Sequence, residues 1–279
     1  MAARVFVVTG GNRGIGYAIV KGLAEKETNA VVYLTARKSS EGEEAVQKIK
    51  EELGAKLKSD VRAVAVDITD AATGKKLAEY LKAEHGGLDV LINNAGFAFK
   101  NDATESPFHQ AEVTIGINYY GTKLISSFLT PLIRTNGRVV NVCSQAGVMK
   151  GGMMMTVKYS DENIAKLHDP NVTEQTIDDF VEKYKVLAQE NRRKEGGYPE
   201  SAYCVSKAAE IALTMMQARE LKAKGIKVNA CCPGYVSTGM TSYKGQLTVE
   251  EGADTPIFLA TDPNAPDGKF VYQRKEISW

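Results

Sequence analysis

Cysteine and histidine are both scarce in this chain, with four and three residues in a length of 279. The cysteines, Cys143, Cys204, Cys231 and Cys232, form no disulfide framework. Three of them fall in segments that read as buried strand or helix, and two are adjacent. The histidines, His85, His109 and His168, are scattered and make no zinc-like cluster with them. Charge of one sign is also lacking. A formal net charge of +1 argues against nucleic acid or an anionic membrane surface as the main partner. No apolar run reaches the roughly 18 residues of a transmembrane helix. Met1-Ala2-Ala3-Arg4 leads straight into an apolar strand pattern, without the segments of a signal peptide. Ile277-Ser278-Trp279 matches no lipidation or retention signal. Reduced thiols and no leader predict a cytosolic protein. Internal repeats and low-complexity tracts are absent.

What the chain does have is an ordinary globular composition, 43% hydrophobic and 25% charged, and an alternation of short β-branched runs with helical patterns. Val5–Val8, Ala30–Leu34, Val61–Val66, Val90–Ile92 and Val139–Val142 are the strand candidates. Each is almost wholly apolar, as parallel strands covered on both faces must be. Helical patterns such as Gly16–Lys26 and Ser40–Leu53 fall between them. The rhythm predicts an α/β fold with a doubly wound parallel sheet, in one domain over 1–279. Ligands then bind beyond the carboxyl ends of the strands. After Val142 the rhythm breaks until a helix around Ser201–Lys224 and a strand at Ile226–Ala230. The stretch between, 148–199, begins with Lys150-Gly151-Gly152 and a Met153-Met154-Met155 run. It then carries Ile177, Phe180, Val181, Tyr184 and Leu187 at helical spacing within Glu174–Glu190. It reads as a helical insertion packed on the main domain.

Thr9-Gly10-Gly11-Asn12-Arg13-Gly14-Ile15-Gly16 follows a strand and opens a helix. Gly10, Gly14 and Gly16 permit a tight turn and bring a pyrophosphate against the helix's first N–H groups. Asn12 and Ile15 lie in the same turn. The second strand indicates which dinucleotide. It ends in Arg37-Lys38 with no acid nearby, and Arg13 supplies a second cation from the glycine turn. An arginine there suits a ribose 2′-phosphate, whereas an acid would take a 2′-hydroxyl, so the expected cofactor is NADPH. Asp67, before Ile68, either accepts from the adenine amino group or caps a helix beginning near Thr69. Asn93-Asn94-Ala95-Gly96 ends the fourth strand with small residues that allow close approach of the cofactor.

Tyr203 and Lys207 stand four apart in Tyr203-Cys204-Val205-Ser206-Lys207 and so share a helix face. A nearby ammonium lowers a phenol's pKa toward working pH, which gives a proton donor suited to carbonyl reduction. Alone the pair is a weak signal. With the glycine turn and the Asn-Asn-Ala-Gly run in this order, the chain resembles the short-chain dehydrogenase/reductase family over nearly its whole length.

Three features make it similar to the monomeric, NADPH-dependent carbonyl reductases of that family. They are the long stretch between Ser144 and Tyr203, the run Thr35-Ala36-Arg37, and Val228-Asn229-Ala230-Cys231-Cys232-Pro233-Gly234-Tyr235-Val236. Glu250-Glu251-Gly252-Ala253-Asp254-Thr255-Pro256 and the terminal Trp279 look like that subgroup too. The resemblance implies a Rossmann-type sheet with helices on both faces and a catalytic set of Asn118, Ser144, Tyr203 and Lys207. Tyr203 would protonate the carbonyl oxygen and Ser144 would hydrogen-bond it. Lys207 would hold the nicotinamide ribose, and Asn118 would carry a water relay to it. Pro233, Gly234, Val236 and Thr238 would cover the nicotinamide. Tyr235 and Met240 would line the substrate pocket with Ser144 and Tyr203, and Cys232 would lie near its mouth, where glutathione could approach or the thiol could be inert. The insertion would cover the surface through which most members oligomerise and leave a monomer. The expected activity is reduction of ketones, aldehydes or quinones, including foreign carbonyl compounds. The alternatives are a narrow steroid, prostaglandin or pterin reductase, or a protein that senses NADPH without turnover.

Overall fold

A computed structural model describes residues 3–100, 102–150 and 158–279. The core is one eight-stranded sheet in the order β3-β2-β1-β4-β5-β6-β7-β8. The strands are β1 (Arg4–Val8), β2 (Ala30–Ala36), β3 (Asp60–Ala65), β4 (Leu88–Asn93), β5 (Ile133–Val142), β6 (Lys227–Cys232), β7 (Phe270–Tyr272) and β8 (Lys275–Glu276). All neighbours are parallel except β7 and β8. Helices join them: α1 (Gly14–Lys26), α2 (Ser39–Leu53), α3 (Ala71–His85), α4 (Pro107–Ile115), α5 (Thr122–Leu129), α6 (Asp161–Leu167), α7 (Glu174–Gln189), α8 (Ala202–Leu221) and α9 (Val249–Thr261).

The two-residue period of a strand decides which face each side chain serves. In β1, Phe6 and Val8 pack with α1, α2 and α9 on one face, while Val5 and Val7 pack with α3, α5 and the end of α8 on the other. The doubly wound sheet expected from the alternation is therefore present, with its strand order reversing between β1 and β4. That reversal opens a crevice at the carboxyl rim, the usual ligand position in such sheets. The short strands β7 and β8 follow no repeat long enough to announce them in the sequence.

The insertion contributes α6 and α7. The apolar stripe of α7 is buried as its spacing predicted: Ile177, Phe180, Val181 and Tyr184 join Ile115 of α4 and Val205, Ala209 and Leu213 of α8 in one cluster. Leu187 packs at its margin. Helix α8 is buried around nearly its whole circumference, pressed between the sheet and α7. Beyond Lys150, the Gly151-Gly152 and Met153–Met155 run lies outside the described residues. At the C-terminus Trp279 stacks on His168, ring centroids 4.3 Å apart.

Helix α9 begins with a capping box, Thr248 accepting from Glu251 N at 3.1 Å while Glu251 Oε2 accepts from Thr248 N at 2.8 Å. Thr248→Ala breaks this reciprocal cap. It is expected to lower global stability by about 1 kcal/mol, read as a reduced denaturation midpoint at unchanged m-value. An unchanged midpoint would mean that packing against α1 alone fixes the start of α9.

Candidate active site

The glycine turn is braced from three strands. Thr35 of β2 bonds it through Oγ1 to Gly10 N at 3.2 Å and through its carbonyl to Gly11 N at 2.9 Å. Asn94, beyond β4, donates from Nδ2 to the carbonyls of Thr9 and Gly10 at 3.0 and 3.2 Å. Thr9 Oγ1 accepts from the backbone N–H of Asn94 and Ala95 at 3.0 Å each. Gly10 and Gly14 have φ of 61° and 56°, and a Cβ on Gly16 would lie 2.2 Å from Gly10 O. Only glycine fits such a turn. Arg13 stands at the N-cap of α1 without any side-chain cap bond, so the first-turn N–H groups point outward uncapped. With the helix dipole they suit an anionic group such as a pyrophosphate. Ile15 packs beneath the turn against the core.

Arg13 and Arg37 are both exposed, and among the described residues neither guanidinium is held in an ion pair or hydrogen bond. They remain free to meet a phosphate. The strand end carries no acid, as the sequence indicated, but the fold brings one close. Glu41 of α2 accepts from Asn12 Nδ2 at 3.2 Å and pairs with Lys38 at 3.5 Å. Asn12 therefore anchors to α2. Asp67 accepts from both Thr69 N and Thr69 Oγ1, at 2.9 and 2.7 Å. It closes a tight turn, whereas the helix begins at Ala71 and is capped by Asp70. Of the two expected roles for Asp67, the helix cap is thus corrected by a three-residue shift, because Asp70 accepts from Ala72 N. Burial pushes the Asp67 carboxyl up, but the Thr69 bonds and the Arg37 charge outweigh it and hold Asp67 below its usual range.

Not every rim residue turns its side chain to the crevice. Asn93 is buried, donating to Ser126 Oγ at 3.0 Å and Asn141 Oδ1 at 2.8 Å. Ile68 is buried against Gly121. Gly96 faces inward to the chemistry: a Cβ there would lie 3.2 Å from Asn118 Oδ1 and 3.7 Å from Lys207 Nζ.

Tyr203, Ser144, Lys207 and Asn118 do meet. Ser144 follows β5 and caps a short 3₁₀ turn, Gln145–Gly147, by accepting from Ala146 N at 3.1 Å. That turn seats directly on α8, since a Cβ on Gly147 would come 2.5 Å from the Lys207 carbonyl carbon. The contact fixes Ser144 beside the first turn of α8. Lys207 Nζ lies 5.8 Å from the Tyr203 ring centroid and donates to Val142 O at 3.2 Å. Asn118 sits in a π-helical turn, Gly116–Gly121, between α4 and α5. Its amide is fully committed, with Oδ1 accepting from Phe97 N at 2.7 Å and Nδ2 donating to Phe97 O at 2.9 Å and Ser206 Oγ at 3.0 Å.

The electrostatics differ from the sequence expectation in one respect. Burial pushes the Tyr203 phenol above its ordinary range, and Lys207 and Ser144 pull it back only in part. Burial is the main cause of the shortfall, and a group outside the motif adds to it. Glu210, one turn along α8, is buried and pairs with Lys207 Nζ at 2.6 Å. Its negative charge opposes the help that Lys207 gives the phenolate. The spacing Lys207-x-x-Glu210 was a signal available in the sequence.

The loop after β6 arches back to the glycine turn. A Cβ on Gly14 would lie 3.5 Å from Thr238 Cγ2, which places Thr238 over the helix α1 entrance. Val236 is buried and bridges to Leu247, while Pro233 and Gly234 are half-buried. Tyr235 and Met240 are exposed, 55% and 44%, so neither forms a closed apolar wall. Lys100 grips this loop, donating to the carbonyls of Gly239 and Met240 and to Ser242 Oγ. Half-buried Phe97 and Phe99, 4.9 Å apart edge to face, stand on the same rim. Aromatics following an Asn-Asn-Ala-Gly run were legible but carried no motif. All four cysteines are buried free thiols, and burial raises Cys232. Among the described residues no group of three or more potential ligands could hold a metal ion.

Comparison with known proteins gives a consistent picture. The family model described as short chain dehydrogenase matches residues 4–160 and 192–247 and passes over the stretch that holds α6 and α7. Carbonyl reductase [NADPH] 1 of Homo sapiens is 40% identical over 283 residues, covering 99% of this chain and 98% of that protein. Carbonyl reductase [NADPH] 3 of Mus musculus is 38% identical, with 99% of each covered. Among solved structures, salutaridine reductase from Papaver somniferum superimposes with a TM-score of 0.83 at 32% identity, over 97% of this chain and 99% of that one.

Proposed function

The chain belongs to the short-chain dehydrogenase family, and we propose that it reduces ketones, aldehydes and quinones to alcohols or hydroquinones with NADPH. The observation that carries this reading is the meeting of Ser144, Tyr203 and Lys207 on the rim that also holds the uncapped glycine turn. Full-length similarity to NADPH carbonyl reductases supports the cofactor and the reaction class. Arg13 and Arg37 would take the 2′-phosphate, the α1 N-terminus the pyrophosphate, and Val236 and Thr238 the carboxamide. Bound NADPH supplies the hydride that reaches the carbonyl carbon.

The protein's own part is to prepare the oxygen. Ser144 Oγ already accepts from Ala146 N, which leaves its proton free to donate to a carbonyl oxygen. Tyr203 gives its phenol proton to the same oxygen as negative charge develops there. Lys207, held between Val142 O and Glu210, supports the ribose and the returning proton. The Asn118 side chain is spent on Phe97 and Ser206, so the water relay falls to the main chain of its π-turn. Tyr235, Met240, Phe97 and Phe99 form an open, partly aromatic margin suited to varied planar substrates.

The chain works as one domain and a monomer in this reading, because α7 buries the outer sides of α4 and α8. Among the described residues no helix is long and apolar enough to cross a membrane. The buried Cys232 thiol supports the inert reading over an approach by glutathione. The test is NADPH oxidation with a panel of quinones, an aromatic aldehyde and a steroid ketone, with NADH in parallel. Broad turnover with NADPH alone is expected. Turnover of one panel member only would replace the broad reading by a narrow one, and tight NADPH binding without turnover would replace it by a sensor.

A further inference from the structure

Along one face of α8 stand Tyr203, Lys207 and Glu210, and the last is the unexpected member. A carboxylate is seldom fully buried without a partner that offsets its lost hydration. Glu210 is 1% exposed. Its Oε2 lies 2.6 Å from Lys207 Nζ, as an ion pair without the alignment of a good hydrogen bond. Oε1 has only a long contact of 3.5 Å from Thr122 Oγ1 of α5. The groups that act on this carboxylate or feel it are few. They are Lys207 and Tyr203 on its own helix, Thr122 on α5 and the Cys143 thiol just beyond β5.

We infer that Glu210 is a positioning residue that cancels the Lys207 charge and so keeps Tyr203 in its protonated, donating form, biasing the site toward carbonyl reduction. This rests on the reductase reading. An isolated ammonium beside a phenol favours phenolate, which is the base needed to oxidise an alcohol. A carboxylate on the far side of that ammonium turns the cation into half of a dipole. In a poorly solvated site its pull on the phenol is then largely offset. The reducing direction instead needs the phenol, and Glu210 preserves it. Burial pushes the Glu210 carboxyl up to about 7 against the pull of Lys207, so the ion pair is half formed near neutral pH and completes as pH rises above it. Its effect on Tyr203 is upward, opposite to that of Lys207.

The experiment compares the wild type with Glu210→Gln, which keeps the shape, and Glu210→Asp, which keeps the charge. Two readouts are taken: the alkaline limb of kcat/KM for carbonyl reduction, and the Tyr203 phenolate titration by ultraviolet absorbance, as a difference against Tyr203→Phe. In Glu210→Gln both should move to lower pH by about one unit, a tenfold change in proton concentration. Oxidation of the corresponding alcohol at neutral pH should rise against reduction. Glu210→Asp should restore much of the limb. If Glu210→Gln does not fold, Glu210→Met, of similar volume, takes its place. A residue that only supports the fold would lower kcat at every pH and leave both titrations in place, which overturns the inference. The phenolate titration reads Tyr203 without turnover. An unmoved titration therefore refutes the role of Glu210, whereas failure of the wild type on every carbonyl refutes the reductase reading alone.

Discussion

Replacing Tyr203 with phenylalanine is expected to leave NADPH binding near the wild-type value and to cut carbonyl turnover by about 10²–10⁴-fold, the range for loss of a general acid. The ring of Tyr203 fills space at the start of α8, and phenylalanine fills the same space, so only the hydroxyl is removed. The cofactor side stays intact because the glycine turn is braced by Thr9, Thr35 and Asn94, none of which touches Tyr203. Fluorescence titration with NADPH and steady-state rates on one quinone and one aldehyde separate the two effects. A variant that keeps most of its rate would remove Tyr203 from the mechanism and return the donor's role to Ser144 or water. The wild-type pH profile has a defined sign as well. The phenol is the reactive form in reduction, and burial holds its pKa above the ordinary phenol value of about 10. Reduction is lost as pH rises through that raised pKa, so the rate should hold through neutral and mildly alkaline solution and fall only in strong alkali.

That sign was not legible in the sequence. A lysine four residues from a tyrosine reads as a device for lowering the phenol, because helical spacing fixes their approach. It does not reveal how many water molecules the fold removes from them. Glu210 was in plain sight three residues on, yet a glutamate in a helix is ordinarily a solvated surface residue. Only the burial of α8 between the sheet and α7 makes it an internal counter-ion. The same reason explains what was readable. The parallel, doubly wound sheet follows from the alternation of apolar strands and helices. The face of α7 was set by the spacing of Ile177, Phe180, Val181 and Tyr184, which requires burial whatever it packs on. Short strands such as β7 and β8 carry too few residues for a period to emerge. Asp67 reads as a cap because it precedes helix-forming residues, but the cap is settled by which carboxylate reaches Ala72 N, and that is Asp70. Asn118 came only from the family resemblance, and its saturation by Phe97 and Ser206 depends on a π-turn that local pattern does not encode.

Arg37→Asp is expected to reverse the cofactor preference. Arg37 stands exposed at the end of β2 with no ion pair among the described residues, so a 2′-phosphate would meet a guanidinium with no partner to give up. A hydrogen bond to a charged group contributes about 1.5–3 kcal/mol, so its loss lowers kcat/KM with NADPH by roughly 10- to 150-fold. The substitution adds repulsion to that loss. Asp67 is close enough to feel the Arg37 charge, and in the variant two carboxylates would face the phosphate instead of one cation and one anion. NADH, which carries no 2′-phosphate, loses nothing, and the new carboxylate can accept from its ribose 2′-hydroxyl. Its kcat/KM should hold or rise. Glu41 does not already fill that position, because Asn12 and Lys38 hold it. Adding Arg13→Ala should lower NADPH use further while leaving NADH nearly unchanged, since the Arg13 side chain makes no bond among the described residues whose loss would disturb the turn. The decisive quantity is the ratio of kcat/KM for the two cofactors on one substrate. A ratio unmoved by Arg37→Asp would place the 2′-phosphate away from β2 and leave Arg37 a solvated surface charge.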